Sequence, residues 1–137
     1  MTKPPIAATL TWQGDLRFEA TTSRSSIVLD GDSAAGPSPV EALAMAFAGC
    51  MAIDVADIIR KGRHPLKSLE TRIVGQRRDD PPRYFISFRL HFTLVGAVPD
   101  HAVERAIQLS RDKYCSVWHS LRQDLDLLTT FEVAPEP

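Results

Sequence analysis

Cys50 and Cys115 are the two side chains with the clearest capacity for chemistry, and they are the only cysteines in the 137-residue chain. A thiolate can act as a nucleophile, be oxidised or bind a metal. Neither cysteine belongs to a CxxC pair or to a Cys/His cluster with metal-ligand spacing, so we expect no metal site and no cofactor. In a reducing compartment, two such cysteines are either inert packing residues or a transient redox pair.

Cys50 lies in the middle of a segment that predicts one long helix, from Pro39 to Lys61. Ser38 can cap its start, and Glu41 lies three residues further on, which completes a capping box. This spacing favours a capping role for Glu41 over a catalytic one. Basic residues in the last turn, followed by Gly62 as a left-handed C-cap, predict the end of the helix.

The first two thirds of this helix has no polar face. Large apolar side chains point in every direction, and small residues between them would let another backbone approach closely. A helix that is apolar on all sides must be covered on all sides. One small sheet and one amphipathic helix supply too little cover, so we predict an obligate, symmetric homodimer with these helices packed across the two-fold axis.

The two thiols have different expected environments. Cys50 is in the middle of a helix, where the helix dipole does not lower its pKa, and Asp54 one turn later would raise it unless a cation compensates. Cys115 lies just before a short helix that Ser116 can cap. The sequence therefore predicts that Cys115 is the better placed of the two to be a thiolate.

Strand signals precede and follow the long helix. Short alternating runs come before it, a long antiparallel hairpin comes after it, and one strand ends the chain. Between the hairpin and the last strand, a helix opening at Pro99 carries an inward-facing stripe that includes Ser110. This order predicts an α+β fold with antiparallel sheets and a single domain over residues 1–137. The predicted strands are residues 6–12, 16–20, 27–29, 66–78, 84–94 and 127–133.

The composition is that of a soluble globular domain, with 44% hydrophobic residues, 24% charged residues and a formal net charge of −1. This charge gives no reason to expect nucleic acid or an anionic membrane surface as a partner. The N-terminus has no signal-peptide pattern, and the long helix carries Glu41 and Asp54, so we expect no membrane span. The expected location is the cytoplasm.

Four stretches of the sequence resemble the OsmC/Ohr family, and in particular its OsmC-like branch of small bacterial proteins. They are the helix sequence GPSPVEALAMAFAGCMAIDV, its Arg60-Lys61-Gly62 end, the turn from Gln76 to Arg83, and the segment Lys113-Tyr114-Cys115-Ser116-Val117. The resemblance runs from about Trp12 to the C-terminus. It implies an OsmC-like fold, an intertwined homodimer in which the central helices bring the cysteines together, and thiol-dependent reduction of organic hydroperoxides.

By the same resemblance, Cys50 matches the peroxidatic cysteine and Cys115 the resolving cysteine. A small dithiol or a lipoyl-type reductant would restore the pair. The family's peroxidases carry a glutamate directly after the helix-opening proline; here Glu41 comes one residue later. They also use an arginine from the N-terminal strands, for which Arg17 and Arg24 are the candidates.

Two other functions remain open from the residues alone. A long helix against an antiparallel sheet also occurs in hotdog-type acyl thioesterases, for which Asp54 is the buried carboxylate candidate. The third possibility is a dimeric small-molecule binding protein that is not an enzyme and whose cysteines only pack.

Overall fold

The structure is a computed structural model that describes residues 3–136. The chain forms two compact units, one ending at Leu43 and the other beginning at Ala44. The single domain over residues 1–137 stays a prediction.

The first unit contains a three-stranded antiparallel sheet in the order β1-β2-β3. Its strands are β1, Thr9–Trp12; β2, Arg17–Thr21; and β3, Ser26–Asp30. The three strands predicted before the helix are therefore confirmed. The side chains of Leu10 and Trp12 on β1 are 53% and 65% exposed. The alternating apolar side chains of β1 are not covered within this unit.

A carboxylate organises the loop that leads from β3 to the long helix. Asp30 is buried, and its two carboxylate oxygens accept hydrogen bonds from the backbone N–H groups of Ala35 and Asp32, each at 2.9 Å. The bond from Ala35, followed by that from Asp32, holds the pKa of the Asp30 carboxyl below its usual range. This loop brings the chain to the start of the helix.

Helix α1 spans Pro39–Lys61, as predicted. The capping box is present: the Glu41 N–H donates to Ser38 Oγ at 3.1 Å, and the Ser38 N–H donates to Glu41 Oε1 at 3.0 Å. The predicted left-handed C-cap at Gly62 is wrong. The Gly62 N–H still bonds to the Ile58 carbonyl at 3.0 Å, and the positive φ of 61° falls on Arg63.

One side of α1 is buried and the other is open. The buried stripe comprises Phe47, Ala48, Met51, Val55 and Ile59. On the open side, Met45 and Ile53 are 57% and 71% exposed. A Cβ built on Gly49 would meet no atom of the unit beginning at Ala44 within 4 Å, the backbone of its own helix aside. Helix α1 is long and apolar enough to cross a membrane, but the core helix of a soluble protein can have the same length and composition. The buried stripe of α1 belongs to the hydrophobic core.

The second unit has a three-stranded sheet in the order β4-β5-β6. Strands β4, Leu66–Arg77, and β5, Phe85–Gly96, form the predicted antiparallel hairpin. Strand β6, Asp126–Ala134, pairs with β5 in parallel, so this sheet is mixed, and antiparallel pairing holds for its β4–β5 hairpin but not for β6. The helical crossover between β5 and β6 returns the chain to the end of the sheet where β5 begins, which makes the pair parallel.

This crossover has three helical parts: α2, Asp100–Leu109; a π-helical turn, Ser110–Tyr114; and α3, Ser116–Ser120. They pack with α1 and the apolar face of β5 to form one hydrophobic core. The fully buried side chains of that core include Phe47, Met51, Val55, Phe92, Leu94, Val103, Ala106 and Cys115.

Candidate thiol site

Stacked aromatic rings hold the middle of α1 against the crossover. The Phe47 ring is fully buried and stacks on the Trp118 indole, with ring centroids 5.4 Å apart and an interplanar angle of 28°. Its other neighbour is Phe88 on β5, at 5.2 Å. Cys50 lies one helical turn after Phe47 and is half-buried against the same core. This packing places the Cys50 side chain next to the segment that carries Cys115.

Cys115 is fully buried at the junction between the π-helical turn and α3. Its N–H donates to the carbonyl of Ser110, five residues earlier, at 2.8 Å, which is the hydrogen bond that defines the π turn. Its Sγ accepts a hydrogen bond from the Trp118 N–H at 3.3 Å. Cys115 is therefore the N-cap of α3, and the prediction that Ser116 caps this helix is wrong.

Cys115 is a buried member of the hydrophobic core, and Cys50 packs against the same core. The neighbouring Cys50 side chain contributes to a raised pKa of Cys115. Burial is the largest cause of that rise, the Trp118 N–H opposes it, and the charge of Asp54 adds to it, so the pKa of Cys115 is raised from 9.0 to about 12. Both cysteines are free thiols.

The prediction that Cys115 is the better placed of the two cysteines to be a thiolate is wrong, because burial raises its pKa. One N–H donor and the start of a five-residue helix favour the charged form, but burial disfavours it more strongly. Cys115 is therefore held as a neutral thiol.

A carboxylate and a hydroxyl join α1 to the crossover beside the thiols. Ser110 is fully buried, and its Oγ donates a hydrogen bond to Asp54 Oδ2 at 2.8 Å. The sequence pattern predicts Ser110 on the inward-facing stripe of the second helix but predicts no function for it. A serine at a core position of an amphipathic helix does indicate a buried polar contact, because a buried hydroxyl needs a hydrogen-bond partner.

Asp54 also faces a cleft between α1 and the crossover. The cleft has a volume of about 520 Å³ and is lined by Asp54, Asp57, Lys61, Arg105, Leu109 and Tyr114, among others. Asp57 and Lys61 form an ion pair of 2.8 Å at its edge. Asp54 thus lies between this opening and Ser110. Within residues 3–136, no group of three His, Cys, Asp or Glu side chains has the arrangement of a metal site.

The three predicted supporting residues belong to the first unit. Glu41 caps α1 and also accepts a hydrogen bond from the Ser33 hydroxyl; this bond, ahead of those from Ser38, lowers its pKa. Arg17, on β2, lies 3.8 Å from the carboxylate of Asp15. Arg24 lies in the β2–β3 loop, where its N–H donates to Thr22 Oγ1 at 3.2 Å. Their part in activating Cys50 stays a prediction.

The site can be compared with known proteins. The family model described as OsmC-like protein matches residues 30–129, which include both cysteines, Asp54 and Ser110. The chain belongs to the OsmC-like protein family. The OsmC-like fold is therefore confirmed, while the intertwined homodimer stays a prediction.

Relatives of this OsmC-like chain span nearly its full length. Protein YhfA of Escherichia coli strain K12 is 39% identical over 131 residues, covering 93% of this chain and 98% of YhfA. A crystal structure of a hypothetical protein from Aquifex aeolicus VF5 superposes with a TM-score of 0.90 at 27% identity, over 98% of this chain and all of that one. The structure of an organic hydroperoxide resistance protein OsmC from Legionella pneumophila superposes with a TM-score of 0.71 at 14% identity, over 97% and 100% of the two chains.

Proposed function

We propose that this protein reduces organic hydroperoxides through Cys50 and Cys115 and that a dithiol restores it. The observation that carries the proposal is that two free thiols from distant parts of the chain, Cys50 on α1 and Cys115 at the start of α3, pack in the same hydrophobic core. Membership of a family associated with hydroperoxide resistance supports it.

The two thiols differ in access, and this difference supports their proposed roles. Cys50 is half-buried and Cys115 is fully buried, so an incoming peroxide meets Cys50 first. The Cys50 thiolate attacks the terminal peroxide oxygen, the O–O bond breaks, and the leaving alkoxide takes up a proton from solvent and becomes the alcohol. Cys50 is then a sulfenic acid.

Cys115 completes the cycle. Its sulfur attacks the sulfur of the Cys50 sulfenic acid, the S–O bond breaks and water leaves, so that a Cys50–Cys115 disulfide remains. A small dithiol or a lipoyl-type group then reduces this disulfide by thiol–disulfide exchange and becomes oxidised itself. Arg17 and Arg24 are the proposed supporting residues, for which the family resemblance is the argument, whereas the capping box of Glu41 favours a structural role for this third candidate.

A homodimer is part of the proposal. Met45 and Ile53 leave a largely apolar stripe of α1 exposed in the single chain, and Gly49 lies between them with open space beside it. An uncovered apolar helix face is typical of a surface that another subunit covers. We place the protein in the cytoplasm, where the cysteines would be kept reduced between turnovers.

Peroxide consumption by matched cysteine variants tests the function. We expect the wild type to consume cumene hydroperoxide with dithiothreitol as the reductant, Cys50→Ser to be inactive, and mass spectrometry of the peroxide-treated wild type to show a Cys50–Cys115 crosslink. Cys115→Ser should still be oxidised at Cys50 but form no crosslink. Equal consumption by the wild type and Cys50→Ser, or by neither, would contradict the proposal, and acyl-CoA hydrolysis that survives Cys50→Ser would favour a thioesterase.

A further inference from the structure

Disulfide formation at this site requires the Cys115 thiol to lose its proton. Burial keeps Cys115 as a neutral thiol, and a neutral thiol is a poor nucleophile. The step that joins Cys115 to Cys50 therefore needs a base that can reach the Cys115 thiol inside the core.

Asp54 is the candidate for this base. It lies one turn after Cys50 on α1, it accepts the Ser110 hydroxyl at 2.8 Å, and its charge acts on Cys115. Ser110 is also tied to Cys115 itself, because its carbonyl accepts the Cys115 N–H at 2.8 Å. Through these two hydrogen bonds, Ser110 links the Asp54 carboxylate to the residue that carries the thiol.

Arg111 and His119, two other titratable side chains near Cys115, contact other groups. Arg111 donates to the Leu127 carbonyl at 3.4 Å, and its guanidinium lies 5.9 Å from the centre of the Trp118 ring. A ring nitrogen of His119 is 2.8 Å from the Arg111 carbonyl. The charges that act on Cys115 include those of Cys50 and Asp54.

We propose that Asp54 is the proton acceptor for Cys115 in the resolving step, held in place by Ser110. This proposal rests on the proposed function, since that function supplies the Cys50 sulfenic acid.

The step balances in atoms and electrons. The S–H bond of Cys115 breaks and its proton moves to Asp54, while the electron pair of the Cys115 sulfur forms the bond to Cys50. The S–O bond of the sulfenic acid breaks, and the leaving hydroxide takes up the proton and becomes water. Cys50 is reduced and Cys115 is oxidised within the same step, and Asp54 ends as a carboxylate. The adjoining cleft gives the carboxylate a route to exchange protons with solvent.

The test uses an aromatic disulfide, Ellman's reagent, so that it does not depend on peroxide chemistry. One equivalent places a thionitrobenzoate group on Cys50, and attack by Cys115 releases that group together with a proton. This second release requires the same base as the resolving step, and it can be followed even in a protein that consumes no hydroperoxide. In Cys115→Ser, the adduct on Cys50 should persist.

Removing the base should change both the rate and its pH dependence. We expect Asp54→Asn to slow the second release about tenfold or more near neutral pH, and to make its rate rise about tenfold for each pH unit, because solvent hydroxide must then form the thiolate. The wild-type rate should be nearly flat between about pH 6 and pH 8. Asp57→Asn, which removes a carboxylate of the same cleft from the next turn, should behave as the wild type does.

Three results would overturn the proposal. One is a wild-type rate that itself rises about tenfold per pH unit, which needs no variant and so is independent of whether Asp54→Asn folds. The second is an Asp54→Asn protein with wild-type rate and pH profile. The third is a slow but pH-independent second release in Asp54→Asn, since this is what a purely structural role predicts. Failure of the peroxidase proposal would appear separately, as absent peroxide consumption with a normal second release.

Discussion

The Phe47 ring stacks on the indole of Trp118, with 5.4 Å between ring centroids, and this contact joins α1 to the short helix that Cys115 caps. Because Phe47 is fully buried, Phe47→Ala should reduce the free energy of unfolding by about 3–5 kcal/mol. Urea unfolding followed by circular dichroism measures this. Leu128→Ala, at a 53% exposed position on β6, is the matched control and should change stability by no more than about 0.5 kcal/mol.

Variants of the capping box can distinguish a structural role of Glu41 from a catalytic one. Ser38→Ala removes the side-chain acceptor for the Glu41 N–H and should cost about 1 kcal/mol of stability. Glu41→Gln can keep the reciprocal bond to the Ser38 N–H, so peroxidase activity and stability should stay within about twofold and about 0.5 kcal/mol of the wild type. A large loss of activity in a stable Glu41→Gln protein would instead assign this carboxylate to the chemistry.

The raised pKa of Cys115 should appear in the alkaline pH dependence of stability. Burial raises this pKa from 9.0 to about 12, so the unfolded chain gives up the thiol proton at lower pH than the folded chain does. The stabilisation that results is fully present below about pH 9 and should fall by up to about 1.4 kcal/mol per pH unit as the pH rises towards 12.

The measurement for this pH dependence is urea unfolding under reducing conditions at several alkaline pH values, for the wild type and for Cys115→Ala. The difference between the two proteins isolates the thiol from the lysines and tyrosines that titrate in the same range. It should shrink as the pH rises. A constant difference would mean that Cys115 titrates in the folded protein as it does in the unfolded chain.

The uncovered face of α1 predicts a specific effect on assembly. Ile53 is 71% exposed in the single chain, so a lysine there would be tolerated by a monomer but would bury a charge in a helix–helix interface. Ile53→Lys should therefore convert the wild-type dimer to a folded monomer in sedimentation velocity experiments. Leu128→Lys, at the exposed control position on β6, should remain dimeric. A monomeric wild type would contradict the proposed assembly.

Elements whose signals are local could be predicted from the sequence. Both bounds of α1 were predicted correctly, since caps and terminal charges lie within a few residues of the ends they mark. The position of the left-handed residue was missed by one, because the Gly62 N–H continues the helical bonding and moves the reversal to Arg63. The hairpin of β4 and β5 could also be predicted, because its alternation of apolar and polar residues is long and the connection between the strands is short.

Features that depend on distant contacts could not be predicted in this way. The direction of β6 depends on how the crossover returns to the sheet, and the Asp54–Ser110 bond joins residues 56 positions apart. The state of the Cys115 thiol was predicted wrongly because the cap position is a local signal, whereas the burial that outweighs it comes from the assembled core.

Gly49 offers a single-residue measure of how near a neighbouring molecule comes to α1. In the second unit a methyl group at this position would have free space, so Gly49→Ala by itself should strengthen the helix by about 1 kcal/mol. If another backbone lies against this point, the same methyl group would push it away and weaken association. The sign of the change would thus report whether residue 49 faces water or protein.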